Sequence, residues 1–174
     1  MTPNHSSPPP SDSLFGLTWP GKKEAAARAH EELKVRRDVV KRAGPSPHSV
    51  TEADNLNALK DFVARNFHAD VIYIDPPYNT GKDFVYRDNF RQRRDMRSEH
   101  FGQWHAEWLS MMLPRLILAR EVLTDNGFIF VSIGESEVAH LRLIMNEVFG
   151  EDCFAGQLIW KKGCLLYTSP SPRD

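Results

Sequence analysis

The chain reads as an α/β protein built on a parallel sheet, and three observations predict it. Val71-Ile72-Tyr73-Ile74 and Phe128-Ile129-Phe130-Val131-Ser132-Ile133 are short apolar runs rich in β-branched and aromatic residues, as strands buried on both faces are. Helical periodicity fills the segments before, between and after them. The resulting order, strand–helix–strand–helix–strand, joins neighbouring strands by crossovers covered by helices.

Residues 1–13 are rich in Pro and Ser and lack the charged-then-apolar order of a signal peptide, so a disordered N-terminus is expected. Residues 14–50 form a helical extension and linker. Within them, residues 22–42 are dominated by Ala, Glu, Lys and Arg, which predicts a solvent-facing helix stopped by Gly44-Pro45. Leu56, Leu59, Phe62, Val63 and Phe67 recur at helical spacing and would feed the strand at residues 71–74. A second helix is expected over residues 104–124, with a kink or break at Pro114. Asp125-Asn126-Gly127 reads as a turn, and Gly134 as the end of the second strand. Residues 135–149 place Val138, Leu141, Ile144, Met145 and Val148 on one helical face, and residues 154–160 read as a third strand.

With 174 residues, 41% hydrophobic and 26% charged, the composition is that of an ordinary globular chain of about one domain. A formal net charge of −1 provides no global field for nucleic acid, so any such contact must be local. The basic stretch is the segment holding Arg87, Arg91, Arg93, Arg94 and Arg97 against Asp88 and Asp95. It reads either as a solvated loop or, at Arg91, Arg93 and Arg94, as a phosphate contact. The two cysteines, Cys153 and Cys164, show neither a C-x-x-C nor paired-His spacing. No metal site is expected, His100 and His105 are read as structural or exposed, and a reducing cytoplasm fits. No apolar run approaches the roughly 20 residues of a membrane span.

The chemistry concentrates at Asp75-Pro76-Pro77-Tyr78, directly behind the first strand. Two prolines cannot continue a strand, because neither offers a ladder N–H and both fix φ. A carboxylate, proline carbonyls and an aromatic ring are therefore left at the carboxyl end of a parallel strand, where α/β sheets bind ligands. The carboxylate and the proline carbonyls are all acceptors, which suits an exocyclic amine, while Tyr78 offers a face for a planar base or serves as a core aromatic. Asn79-Thr80-Gly81 reads as a turn or as substrate contact. Trp104, Trp108, Met111, Met112 and Leu113 read as core.

The stretch from Asp75 through Asn79-Thr80-Gly81 to Phe90 resembles the catalytic region of amino-group DNA methyltransferases, most of all the modification subunit of type III restriction–modification systems. The segments LTWPGKK at 17–23, WLSMMLPRLILAREV at 108–122 and GFIFVSIGESEVAHLRLIMNEVFG at 127–150 resemble the same family in the same order. The resemblance implies a Rossmann-like fold that uses S-adenosylmethionine to methylate adenine N6 in DNA. It assigns catalysis to Asp75, Pro76, Pro77 and Tyr78, with substrate contacts at Asn79 and Thr80. Asp54 lies in a stretch similar to the family's G-D-N-x-x-A-L, with Ala53 in place of glycine. It is expected either to approach the cofactor adenosine or to cap a helix. A homodimer working with a restriction subunit is implied as well. Cytosine-N4 methylation uses the same acceptor logic, and Asp rather than Ser at position 75 points to adenine. A non-catalytic interaction module is the reading from another class.

Residues 51–162 would then be the catalytic half of the methyltransferase domain. The family's F-x-G-x-G cofactor loop does not occur in these 174 residues. Residues 164–174, CLLYTSPSPRD, resemble the translation of a sequencing adapter, so 163–174 is expected to be an artefactual tail. On that reading the sequence is an N-terminal fragment with a partial, truncated fold, expected to be inactive alone.

Overall fold

The computed structural model describes residues 16–31, 40–41, 50–80 and 103–160. The expectations for residues 1–13, for the arginine segment including Arg91, Arg93 and Arg94, for His100 and for the tail at 163–174 lie outside the described residues.

Helix α1 spans Lys22–His30. It is shorter than predicted and is not simply a solvated helix. Ala25 and Ala29, one turn apart, are buried and carry the contact with a later helix. Small side chains let helix backbones approach closely, and a reading that looks for large apolar residues overlooks such a stripe. The helix does not continue to Gly44, because β1 (Val40–Lys41) is extended and pairs antiparallel with β2 (Val50–Thr51).

Helix α2 (Asn55–Ala64) starts at Asp54, whose carboxylate accepts the Leu56 N–H at 2.8 Å. It ends before Phe67, at Asn66, which takes φ 52°. Strand β3 follows (Ala69–Ile74), then α3 (Gln103–Val122), then β4 (Leu123–Val131). Strands β3 and β4 are parallel, with Val71 opposite Phe128, Ile72 opposite Ile129, Tyr73 opposite Phe130 and Ile74 opposite Val131. The predicted turn at Asp125-Asn126-Gly127 is absorbed as an irregularity in β4, since Ala69 already pairs with Leu123. Gly127 is required there: a Cβ would meet Leu123 Cδ1 at 2.8 Å and the Asp70 carbonyl at 3.0 Å.

Helix α3 is the centre of the molecule. It is apolar nearly all round, and Trp108, Leu109, Met112, Leu113, Leu116, Leu118 and Val122 are buried. Burying side chains of this size contributes about 1.5–3 kcal/mol each. No break occurs at Pro114, which is buried within the continuous helix. Helices α1 and α2 pack on α3, as does α4 (Val138–Phe149), whose inward face carries Leu141, Ile144 and Val148.

Two sequence expectations are corrected. The strands are covered on one face only. Ile74, Ile129 and Val131 pack on the core, whereas Val71, Tyr73, Phe128 and Phe130 stand 50–65% exposed. Continuous apolarity shows that both faces tolerate burial; here the helices of the described residues supply one cover. Nor do residues 154–160 form a strand. After a single 3-10 turn (Glu151–Cys153) they run irregular and exposed, with Leu158 at 95%. A strand needs a neighbour for its N–H and C=O groups, and β4 pairs with β3 alone among the described residues.

The N-terminal LTWPGKK segment acts as a clasp. Trp19 is buried and its Nε1–H donates to Ser110 Oγ on α3 at 2.8 Å. Lys22 Nζ donates to the Leu17 carbonyl and to Glu147 of α4, both at 2.6 Å.

Candidate active site at the end of the parallel strands

Strand β3 stops at Ile74, as two prolines require, and the Ser132 N–H still reaches the Ile74 carbonyl at 3.0 Å. The strand ends are also tied by their side chains: the Tyr73 hydroxyl lies 2.6 Å from Ser132 Oγ. From this closed edge the chain turns out into the segment 75–80. Asp75 is exposed, Pro76 and Pro77 are half-buried, Tyr78 is 39% exposed, and Asn79 is buried at 1%. Thr80 is exposed. The segment thus has an outward half that carries acceptors and an inward half that anchors it.

Each anchor can be named. Trp108 of α3, fully buried, donates its Nε1–H to the Pro77 carbonyl at 2.7 Å. The turn before α4 holds the next residues: Ser136 Oγ donates to the Tyr78 carbonyl, and Asn79 Nδ2 donates to Glu137 Oε1. Asn79 Nδ2 also reaches the Trp104 carbonyl at 3.3 Å. Gly134 lies against the Tyr78 ring, where a Cβ would stand 3.3 Å from Cδ2. Any larger residue there would press on that ring.

These contacts sort the site residues expected from sequence. Asn79, expected to contact substrate, is buried with its Nδ2 turned inward on Glu137 and the Trp104 carbonyl, while its Oδ1 makes no hydrogen bond among the described residues. The Pro77 carbonyl is likewise engaged within the fold. Asp75 is the exposed acceptor of the segment. Tyr78 keeps its hydroxyl by Asp75: hydrogen bonding to that carboxylate, partial burial and the Asp75 charge raise its pKa above the ordinary 10.0, against a smaller pull from Ser132. Tyr78 is therefore a neutral donor throughout the physiological range.

Asp54, the cap of α2, marks a second corner held by α3. Arg115 Nη2 stands 3.1 Å from both Asp54 oxygens, and Arg115 Nε donates to Asn55 Oδ1 at 2.6 Å. Burial lowers the Arg115 pKa, while the charge and hydrogen bonding of Asp54 oppose that shift. Both readings of Asp54 remain open, since it caps α2 and its side chain is still 56% exposed. Trp108 and Arg115 lie two turns apart on α3, a rise of roughly 10 Å.

Sequence reasoning missed a cluster beneath Asn79. Glu137 is wholly buried; Oε1 lies 2.7 Å from His105 Nδ1, and Oε2 lies 3.0 Å from His140 Nδ1. The two imidazole rings pack with centroids 4.3 Å apart, tilted by 32°. His105, read from sequence as structural or exposed, is half-buried and pairs with Glu137. Its partner is 32 positions away, and no local spacing rule could have found it. Trp104, Trp108, Met111, Met112 and Leu113 pack as expected, with Trp108, Met112 and Leu113 buried.

Residues 69–173 match the N6/N4 DNA methylase family. The chain is 44% identical, over 63% of its length, to the Mod subunit of the type III restriction–modification enzyme StyLTI of Salmonella typhimurium. It is 35% identical, over 87% of its length, to the Mod subunit of the Escherichia coli type III enzyme EcoP15I. To the type II methyltransferase M.KpnI of Klebsiella pneumoniae it is 43% identical over 64%. It spans 19%, 27% and 26% of those three proteins. With the matched region holding β3, the acceptor-bearing edge behind it and the helices that anchor that edge, the chain belongs to the N6/N4 DNA methylase family.

Proposed function

We propose that this chain carries the target-amine half of a DNA methyltransferase that modifies adenine N6, as part of a type III-like modification subunit. The observation that carries the reading is the split of segment 75–80: Asp75 faces solvent while Pro77, Tyr78 and Asn79 are pinned from behind.

An amine conjugated into a purine is a poor nucleophile. Asp75 and the Pro76 carbonyl accept its two N–H bonds, which favours a pyramidal nitrogen with its lone pair directed away from the edge. The Tyr78 ring stacks on the base, which must leave the duplex to reach it. Because Trp108 and Ser136 fix the backbone on either side of the Tyr78 ring, both acceptors are held before the substrate arrives. Such positioning accounts for much of what an enzyme supplies to a displacement.

When bound, S-adenosylmethionine supplies the electrophilic methyl group. The fit is tested at Asp54, an exposed carboxylate with lone pairs beyond those used by Leu56 and Arg115, which suits a ligand that donates. The mixed α/β architecture with its parallel strand pair belongs, on this reading, to a Rossmann-like S-adenosylmethionine fold. Arg91, Arg93 and Arg94 contact DNA phosphates, Thr80 lies at the substrate edge, and the assembled enzyme is a homodimer working with a restriction subunit in the cytoplasm.

Methyl transfer to DNA by the complete enzyme carrying this chain tests the reading. Asp75→Ala is expected to abolish transfer to adenine while leaving the thermal midpoint close to wild type, since Asp75 is exposed. Retained transfer would remove Asp75 from the mechanism.

A further inference from the structure

Glu137 is a buried carboxylate that the proposed chemistry does not use, and burying such a group is costly unless it is well paired. Its partners explain its presence. Oε1 accepts from Asn79 Nδ2 and lies 2.7 Å from His105 Nδ1, while His140 Nδ1 stands 3.0 Å from Oε2 without hydrogen-bond alignment. Asn79 in turn holds φ 54°, in the left-handed region, directly after Tyr78. Asn enters that region more readily than most non-glycine residues, and here its side chain is held by Glu137 and the Trp104 carbonyl.

We infer that Glu137 is a positioning residue for methyl transfer: it fixes Asn79 in its left-handed conformation and, through it, the direction of the Tyr78 ring and the Asp75 edge. The inference rests on the proposed function. His105, its ring packed against that of His140, orients the carboxylate, which in turn orients Asn79. The turn before α4 then acts at three places on the same segment, with Gly134 at the ring of Tyr78, Ser136 at its carbonyl and Glu137 at Asn79.

His105, Glu137 and His140 also have ligand atoms within 4.8 Å of one another, as a metal site would. The geometry favours hydrogen bonding. Ligand atoms about 2.0–2.1 Å from a tetrahedral ion stand more than 3 Å apart, whereas His105 and Glu137 are at 2.7 Å. That pair is closed around a proton.

The test compares variants that keep the volume of Glu137 but differ in acceptor ability, in the complete methyltransferase. Glu137→Gln retains an oxygen for Asn79 and His105 and is expected to keep kcat within about threefold of wild type. Glu137→Met fills the same space without that acceptor and leaves Asn79 and His105 without their partner, at a cost in stability, so kcat is compared at a temperature where the variant stays folded. It is expected to lower kcat about tenfold or more, with KM for S-adenosylmethionine nearly unchanged. Asn79→Gly, which takes the same φ without strain, should lower kcat similarly, and the double variant no further. Wild-type kcat in Glu137→Met, or additive losses in the double variant, would overturn the inference. If Glu137→Met does not fold, Asn79→Gly decides: an unaltered kcat overturns it. Zn²⁺ bound by the wild-type protein and lost in Glu137→Gln would make the cluster a metal site and overturn it as well. The controls separate the two claims. Activity in Asp75→Ala refutes the proposed function, whereas a dead Asp75→Ala beside an active Glu137→Met refutes only the role of Glu137.

Discussion

Helix α3 grips two corners of the molecule in different ways. At Trp108 the grip is neutral and dry: a buried indole donates to the Pro77 carbonyl. Two turns on, at Arg115, it is charged and half wet, with Arg115 at 16% and Asp54 at 56% side-chain exposure. The contrast shows how one rigid element can treat two sites differently. On the proposed function, a neutral anchor fixes the acceptor edge without a cation that would compete for the Asp75 lone pairs. A charged anchor leaves Asp54 partly open to solvent, as the proposed cofactor contact would require.

The largest effect should come from breaking the dry corner. Trp108→Ala is expected to destabilise the chain by about 3–5 kcal/mol through the cavity it leaves, read by denaturant unfolding. Trp108→Phe sharpens the point, because it keeps most of the packing and removes the donor. It should recover most of the stability while leaving the Pro77 carbonyl without its partner. A Trp108→Phe protein as unstable as Trp108→Ala would mean that the hydrogen bond, not the packing, dominates that corner.

At the wet corner the expected cost is smaller. Asp54→Ala removes both the cap of α2 and the Arg115 pair and should cost about 0.5–2 kcal/mol. Asp54→Asn keeps the cap and should cost less. Because the pair carries charge and is partly exposed, the difference between wild type and Asp54→Asn should shrink as salt is raised. A salt-independent difference would place the pair in a drier setting than its exposure indicates.

The smallest effect concerns Tyr78. Its raised pKa means that the folded protein holds the phenolic proton more tightly than the unfolded chain does. The associated stability is complete below the ordinary phenol pKa and is lost as pH rises through the higher folded value. In an alkaline ultraviolet titration, Tyr78→Phe should remove a late-ionising phenol, and Asp75→Asn should bring that phenol earlier. If Asp75→Asn left the curve unmoved, the Asp75–Tyr78 contact would not be the cause.

Much of this was legible beforehand because it is local. The end of β3 follows from proline sterics at Pro76 and Pro77, and the start of α2 from the capping carboxylate of Asp54. The inward face of α4 follows from the spacing of Leu141, Ile144 and Val148. Legibility failed where a neighbour decides. Residues 154–160 have the composition of a strand but no ladder partner among the described residues. The run at 71–74 is apolar throughout, yet Val71 and Tyr73 are bare. Residues 22–42 looked solvated because alanine was not counted as a packing surface.

The sequence by itself determined that a strand halts at Asp75 and presents acceptors, since φ restriction and a missing N–H act within a few bonds. Only the tertiary structure decided which carbonyl and which amide turn inward: Trp108 takes Pro77, and Glu137, reached across 58 positions, takes Asn79. Backbone sterics are encoded in adjacent residues, whereas a hydrogen bond between distant elements exists only once the helices have packed and excluded the water that would otherwise satisfy it.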